Sequence, residues 1–199
     1  LSRPTVLFIT RHGQTDANLE KRVQGQGDTP LNTTGLAQAG DLADYFLAHA
    51  IDRIVCSDLI RARQTAQVLV DALDVPVSYH PELRARRMGS FENKTHAELE
   101  VADPEAFRRL KHDSNFVPPD GGESVTELKA RMVPFVRQVA HQYAGQRVAI
   151  LSHHKICQLI LAELAGGDMR PIPNARPALV EYKEQRFHLV EEDVAHGTA

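Results

Sequence analysis

Thr5-Val6-Leu7-Phe8-Ile9-Thr10 runs directly into Arg11-His12-Gly13, and this junction decides the reading of the chain. The first part is apolar or β-branched throughout and short, the pattern of a buried strand. The second part sets a guanidinium and an imidazole just past the strand's carboxyl end. Open α/β sheets bind their ligands there. A glycine follows, read as the residue that lets the chain turn sharply and expose His12.

Two further stretches share the design. Asp52-Arg53-Ile54-Val55-Cys56 reads as a strand that ends on Ser57-Asp58-Leu59-Ile60-Arg61, and Arg147-Val148-Ala149-Ile150-Leu151-Ser152 as one that ends on His153-His154. Helical spacing of apolar residues predicts a helix over 34–49 with Thr34 as its cap. A second, capped by Ser57 or Asp58, reaches to about 73. The stretch 75–79 reads as an edge strand because of Pro76. Short helices follow near 95–100 and 104–111. A long amphipathic helix over 123–143, capped by Glu123 and Ser124, carries Pro134 as a kink. A helix over 154–165 and a hairpin of 178–182 with 185–190 complete the chain.

Strands alternating with helices give an α/β class: a three-layer sandwich, with helices flanking a largely parallel central sheet. Pro118-Pro119-Asp120-Gly121-Gly122 reads as a loop leading into a helix. The expectation is therefore one domain over 1–199, with a lid-like excursion at about 80–122.

The 199 residues are 42% hydrophobic and 25% charged, enough apolar surface for a packed core. A net charge of −3 argues against a general partner for nucleic acid or for an anionic membrane. No apolar run approaches the roughly 20 residues of a membrane span, and no secretory signal pattern opens the sequence. Cys56 and Cys157 lie far apart, without metal or disulfide spacing, and read as buried small hydrophobes. A cytoplasmic protein is expected. The sequence carries no signal for oligomeric state.

Two arginines and two or three histidines converging on one mouth suit a phosphoryl group. A guanidinium matches phosphate oxygens with a planar fork of donors and stays charged. A neutral imidazole attacks phosphorus through one nitrogen while the other is held by a hydrogen bond. Fixed cations then stabilise the charge that spreads over the transferring group. No metal or other cofactor is expected, because no carboxylate cluster has the spacing of magnesium ligands.

Thr10-Arg11-His12-Gly13-Gln14-Thr15-Asp16-Ala17-Asn18 resembles the signature of the histidine phosphatase superfamily, the phosphoglycerate mutase-like proteins. Further matches follow in order: Gln24-Gly25-Gln26-Gly27-Asp28-Thr29-Pro30-Leu31, Gly35-Leu36-Ala37-Gln38-Ala39, Cys56-Ser57-Asp58-Leu59-Ile60-Arg61-Ala62-Arg63-Gln64-Thr65-Ala66, Gly121-Gly122-Glu123-Ser124 and Leu151-Ser152-His153. The resemblance spans nearly the whole chain. It implies His12 as the nucleophile that becomes a phosphohistidine, with Arg11, Arg61 and His153 around the phosphoryl group. It also implies Asn18, Gln24 and Gly25 along the phosphate and substrate mouth.

The chain departs from the family pattern twice. The resemblance puts a proton-donating glutamate at the position of Ala85, in Glu82-Leu83-Arg84-Ala85-Arg86-Arg87-Met88-Gly89-Ser90-Phe91-Glu92. Alanine transfers no proton. Glu82, the nearest carboxylate, points to the opposite side of an extended chain, so it substitutes only if the segment is rearranged to bring it, Glu92 or another acid inward. The second departure is His154-Lys155, which narrows the mouth and adds positive charge, joined in this reading by Arg84, Arg86, Arg87 and Lys111. The expected function is hydrolysis of a small phosphate monoester. A phosphoglycerate mutase, or a degenerate phosphate-binding or regulatory protein owing to Ala85, are the alternatives.

Overall fold

The opening run forms strand β1 (Thr5–Arg11), buried along its length except at Arg11. The computed structural model describes residues 3–169 and 171–190. Leu1, Ser2, Arg170 and 191–199, which the expected 1–199 domain includes, lie outside the described residues. After β1 come α1 (Asp16–Leu19), α2 (Thr33–His49), β2 (Arg53–Ser57), α3 (Ile60–Leu73) and β3 (Val77–His80). Then follow α4 (His96–Ala102), α5 (Pro104–His112), α6 (Val125–Gln142), β4 (Arg147–Ser152) and α7 (His154–Leu159). A π-helical turn, Ile160–Leu164, extends α7, and β5 (Pro177–Lys183) with β6 (Arg186–Val190) forms the expected hairpin.

The six strands lie in the order β3-β2-β4-β1-β5-β6. The first four run parallel, and β5 and β6 add an antiparallel end. Alternation along the strands separates two cores. Leu7, Ile9, Val55, Val148 and Ile150 pack against Leu128 and Met132 of α6 and Ile156 of α7. Phe8, Ile54, Cys56, Ala149 and Leu151 pack against Leu42 and Phe46 of α2 and Ala62, Ala66 and Leu69 of α3. This is the expected three-layer arrangement, with helices on both faces of the sheet. A third, smaller apolar cluster joins Phe91, Leu99, Phe107 and Phe116 to Val23.

Three expected caps are corrected. Asn32, not Thr34, caps α2, its side-chain oxygen accepting from the Gly35 N–H at 2.8 Å. Thr34 already lies inside the first turn. Leu59 starts α3 without a side-chain cap. Ser57 and Asp58 are engaged elsewhere, with His153 and Arg84. Ser124 alone caps α6, in a capping box with Glu127, while Glu123 bonds Arg131. Helix α1 went unforeseen because four residues carry no readable period.

Gly13 is also corrected. Its backbone needs no left-handed torsion. A side chain there would meet the Gly35 carbonyl oxygen at 2.4 Å, and one at Gly35 would meet the Gln14 oxygen at 2.1 Å. The pair lets the loop after β1 lie backbone to backbone on the start of α2. Gly40, further along α2, has open space around it.

Two substitutions in one helix therefore have opposite signs. Gly35→Ala destabilises by about 1–3 kcal/mol through a clash that only backbone movement relieves. Gly40→Ala stabilises by about 0.5–1 kcal/mol by restricting the unfolded chain. Urea denaturation measures both, and changes of the same sign would contradict this packing.

Candidate active site

Strand register brings the polar ends together. Arg11 pairs with Ser152, and Cys56 with Leu151, across three adjacent parallel strands. His12 and His153 therefore follow at one level, with Ser57 one residue behind them, level with Ser152. Arg61 joins them from the first turn of α3. Arg11, His12, Arg61 and His153 border a cavity of about 620 Å³, and Asn18, Gln24, Gly25 and His154 line it too. The structure thus gathers every expected site residue except Glu82.

His12 is buried, with 3% of its surface exposed, rather than presented to solvent as the turn reading implied. Its Nδ1 lies 2.7 Å from the Gly13 carbonyl oxygen. A carbonyl only accepts, so Nδ1 carries the proton and Nε2 keeps its lone pair. Burial, then Arg61 and Arg11, hold the imidazole well below its ordinary pKa of 6.5. The same causes, with His12 itself, lower His153. The two rings lie 5.2 Å apart between centroids.

The guanidiniums are fixed without being neutralised. Arg61, only 1% exposed, donates to the carbonyls of Gly27 and Gly25 at 2.9 and 2.7 Å. Burial pushes its pKa down to about 10, against the pull of Glu92. Arg11 donates to the Ile172 carbonyl at 2.9 Å. The Nε atoms of both arginines, and Nδ1 of His153, are buried without a hydrogen-bond partner. Buried donors left unpaired are costly, and an oxyanion in the cavity is the kind of partner that satisfies them. His153 Nε2 meets the Ser57 hydroxyl at 2.8 Å.

Several supporting residues escaped the sequence reading. Thr65 accepts from the Gly13 N–H at 3.1 Å and donates to the Arg61 carbonyl at 2.8 Å, tying the two arginine loops together. Asn174 donates to the His12 carbonyl at 2.8 Å. It lies in a loop without periodicity, and no sequence signal marked it. Glu123, almost fully buried, pairs with Arg131. Arg131 in turn donates to the carbonyls of Glu82, Arg84 and Ala85, at 2.6, 2.8 and 3.0 Å. This brace fixes the backbone that presents Ala85 to the cavity.

The expected basic cluster is redistributed. Arg84 is bidentate to Asp58, both contacts 2.7 Å, so its charge is compensated there. Arg86 is buried and donates to the Glu123 and Phe116 carbonyls at 2.5 and 2.6 Å. It lines the cavity with Lys111 and Lys155, whereas Arg84 and Arg87 do not. Lys21, Arg22 and His96 had not been singled out and also line it. No Asp or Glu is among the lining residues. Glu92 accepts from the backbone N–H groups of Gln26 and Met88. Among the described residues no group of His, Cys, Asp or Glu is placed to hold a metal ion.

The chain is similar to known proteins over most of its length. The family described as the histidine phosphatase superfamily (branch 1) matches residues 7–193. The adenosylcobalamin/alpha-ribazole phosphatase of Salmonella typhimurium is 32% identical over 158 residues, 79% of this chain and 78% of that one. A probable phosphoglycerate mutase, GpmB, of Yersinia pestis is 31% identical over 160 residues, 80% and 74% of the two chains. The solved structure of Bacillus stearothermophilus YhfR superposes with a TM-score of 0.86 at 27% identity, covering 94% and 96%.

The buried histidines make stability depend on pH. His12 and His153 are neutral in the folded protein, and His96 and His154 are displaced the same way. Unfolded, each titrates near an ordinary pKa of about 6.5. Below that pH the unfolded chain binds more protons than the native one, so stability is present above about 6.5 and is lost as pH falls through it. Urea midpoints should decline from about pH 7.5 to 5.5, and His12→Gln with His153→Gln should flatten the decline. A flat wild-type profile would contradict the assignment.

Proposed function

The chain belongs to the histidine phosphatase superfamily, branch 1, and from that premise we propose that it is a metal-independent phosphatase acting on a small phosphorylated substrate through His12. The observation that carries this reading is the buried His12 imidazole. Its Nδ1 proton is committed to the Gly13 carbonyl, and it lies beside Arg11 and Arg61, which pair with no carboxylate among the described residues.

His12 Nε2 attacks phosphorus. The P–O bond to the leaving group breaks with its electron pair on that oxygen, leaving a phosphohistidine. Water then attacks the phosphorus, the P–N bond breaks, and inorganic phosphate departs with His12 restored. Arg11 and Arg61 stabilise the equatorial oxygens in both steps, where fixed charges in a water-poor site count most. Ser57 donates its hydroxyl proton to His153 Nε2, so that Nδ1–H points a further donor at the phosphoryl group. Asn18, Gln24 and Gly25 border the mouth, and the segment over about 80–122 serves as its lid. Cys56 and Cys157, free and buried, suit a reducing compartment such as the cytoplasm.

A mutase would use the same nucleophile but return the phosphoryl group to the substrate, and the Yersinia relative favours that second reading. Sustained isomerisation of a phosphorylated acid without net phosphate release would establish it in place of hydrolysis.

Ala85 defines the chemical weakness of the site. An alkyl alkoxide leaves poorly without a proton, whereas a nitrophenolate leaves unaided. p-Nitrophenyl phosphate should therefore be hydrolysed, and His12→Ala should lose that activity by several orders of magnitude. Ala85→Glu should raise turnover of an alkyl phosphate by ~10²–10⁴-fold, with little effect on the aryl ester. Undiminished activity in His12→Ala would overturn the assignment. If the wild type binds vanadate but leaves the aryl ester intact, the degenerate reading replaces it.

A further inference from the structure

The phosphoryl chemistry above uses only part of the cavity lining. The same cavity is also lined by Lys21, Arg86, Lys111 and Lys155, together with Met88 and Phe107, none of which that chemistry uses. In-line attack by His12 sends the leaving group away from that imidazole and into the remainder of the cavity.

This set of residues is positive, and no carboxylate joins it in the lining. Lys21, Lys111 and Lys155 have no carboxylate partner among the described residues. Arg86, 6% exposed, is bound by two backbone carbonyls, and the carboxylates of Glu123 and Glu127, which do not line the cavity, offset part of its charge. Lys155, partly buried, lies within the field of Arg86, and burial and that like charge both lower its pKa. Lys111 sits over the Phe107 ring, its Nζ 3.9 Å from the centroid. A protein of net charge −3 thus concentrates cations at one place, and no carboxylic acid lines the cavity to protonate a departing oxygen.

These features describe a site for a leaving group that departs as an anion. Resting on the phosphatase reading, we infer that the substrate is an organic phosphoanhydride, such as a nucleoside diphosphate, whose terminal phosphoryl group passes to His12 while Lys21, Arg86, Lys111 and Lys155 take up the charge of the departing phosphate. The bridging P–O bond breaks and its electron pair stays on that phosphate. Water resolves the phosphohistidine to inorganic phosphate, and the proton it releases goes to solvent. No other reactant is needed. The leaving phosphate monoester has a second pKa of about 6, whereas an alkoxide derives from an alcohol about as weakly acidic as water, near 15.7. Only the second demands the missing acid. The cavity of about 620 Å³ is of a size that holds such a molecule, with Met88 and Phe107 beside its organic part.

Phosphate release is measured in chelator with ADP, AMP, fructose 1,6-bisphosphate and p-nitrophenyl phosphate. ADP should exceed AMP in kcat/KM by about 10²-fold or more, the span that protonation of an alkoxide ordinarily supplies. It should exceed fructose 1,6-bisphosphate similarly, since that compound has a second phosphate but an alkoxide leaving group. Lys111→Met and Lys155→Met should each lower the ratio of ADP to p-nitrophenyl phosphate turnover by about tenfold, the scale of one charged hydrogen bond. A merely structural role would lower both substrates together and leave the ratio unchanged. Equal turnover of ADP and AMP, or of ADP and the bisphosphate, overturns the inference, as does an unchanged ratio in both variants. p-Nitrophenyl phosphate reports separately on His12. Hydrolysis of it with ADP untouched sinks this inference alone, whereas loss of both sinks the phosphatase reading as well.

Discussion

The reactivity of His12 depends on one hydrogen bond, its Nδ1–H donated to the carbonyl of its own neighbour Gly13. It selects the tautomer, leaves Nε2 basic, and does so without bringing a negative charge into the site. Three arginines of the lining obey the same constraint, whereas a fourth, Arg22, pairs with Glu20. Arg11, Arg61 and Arg86 all end on backbone carbonyls. A carboxylate partner would have fixed these side chains more cheaply, but it would also have cancelled the charge that a phosphoryl group requires. Arg131 and Arg84 show the contrast. Each lies away from the cavity lining and pairs with a carboxylate, and Arg131 acts as a brace.

The fold makes this arrangement tolerable. Three adjacent parallel strands end at one level, so their terminal residues converge without any long excursion of the chain. The loop that follows β1 is pressed onto α2 through Gly13 and Gly35, and Thr65 fastens it to the Arg61 turn. Cationic groups that repel one another are thereby held by rigid elements, and the stability of two apolar cores offsets the cost.

Much of this was legible in the sequence. The strands showed as short apolar runs, and their polar endings, together with the family resemblance, singled out Arg11, His12, Arg61 and His153, which the fold brings to one cavity. What stayed hidden depends on tertiary contact. Arg86 resembled its neighbours Arg84 and Arg87, since nothing local says that the carbonyls of residues 116 and 123 will receive it. Asn174 acts across 162 positions of chain. Gly13 was read for its torsional freedom when the constraint was space, and Thr34 was taken for a cap that Asn32 supplies, a shift of two residues that propensity does not resolve.

The central claim is that residue 12 carries the phosphoryl group between substrate and water. The most direct measurement quenches turnover of a phosphorus-labelled substrate in alkali and maps the label by peptide mass spectrometry. An acid-labile, alkali-stable phosphate on the peptide holding His12, absent from the His12→Ala protein, is the result required. A label on another side chain, or substrate consumed at full rate with no labelled protein at any time, would contradict it.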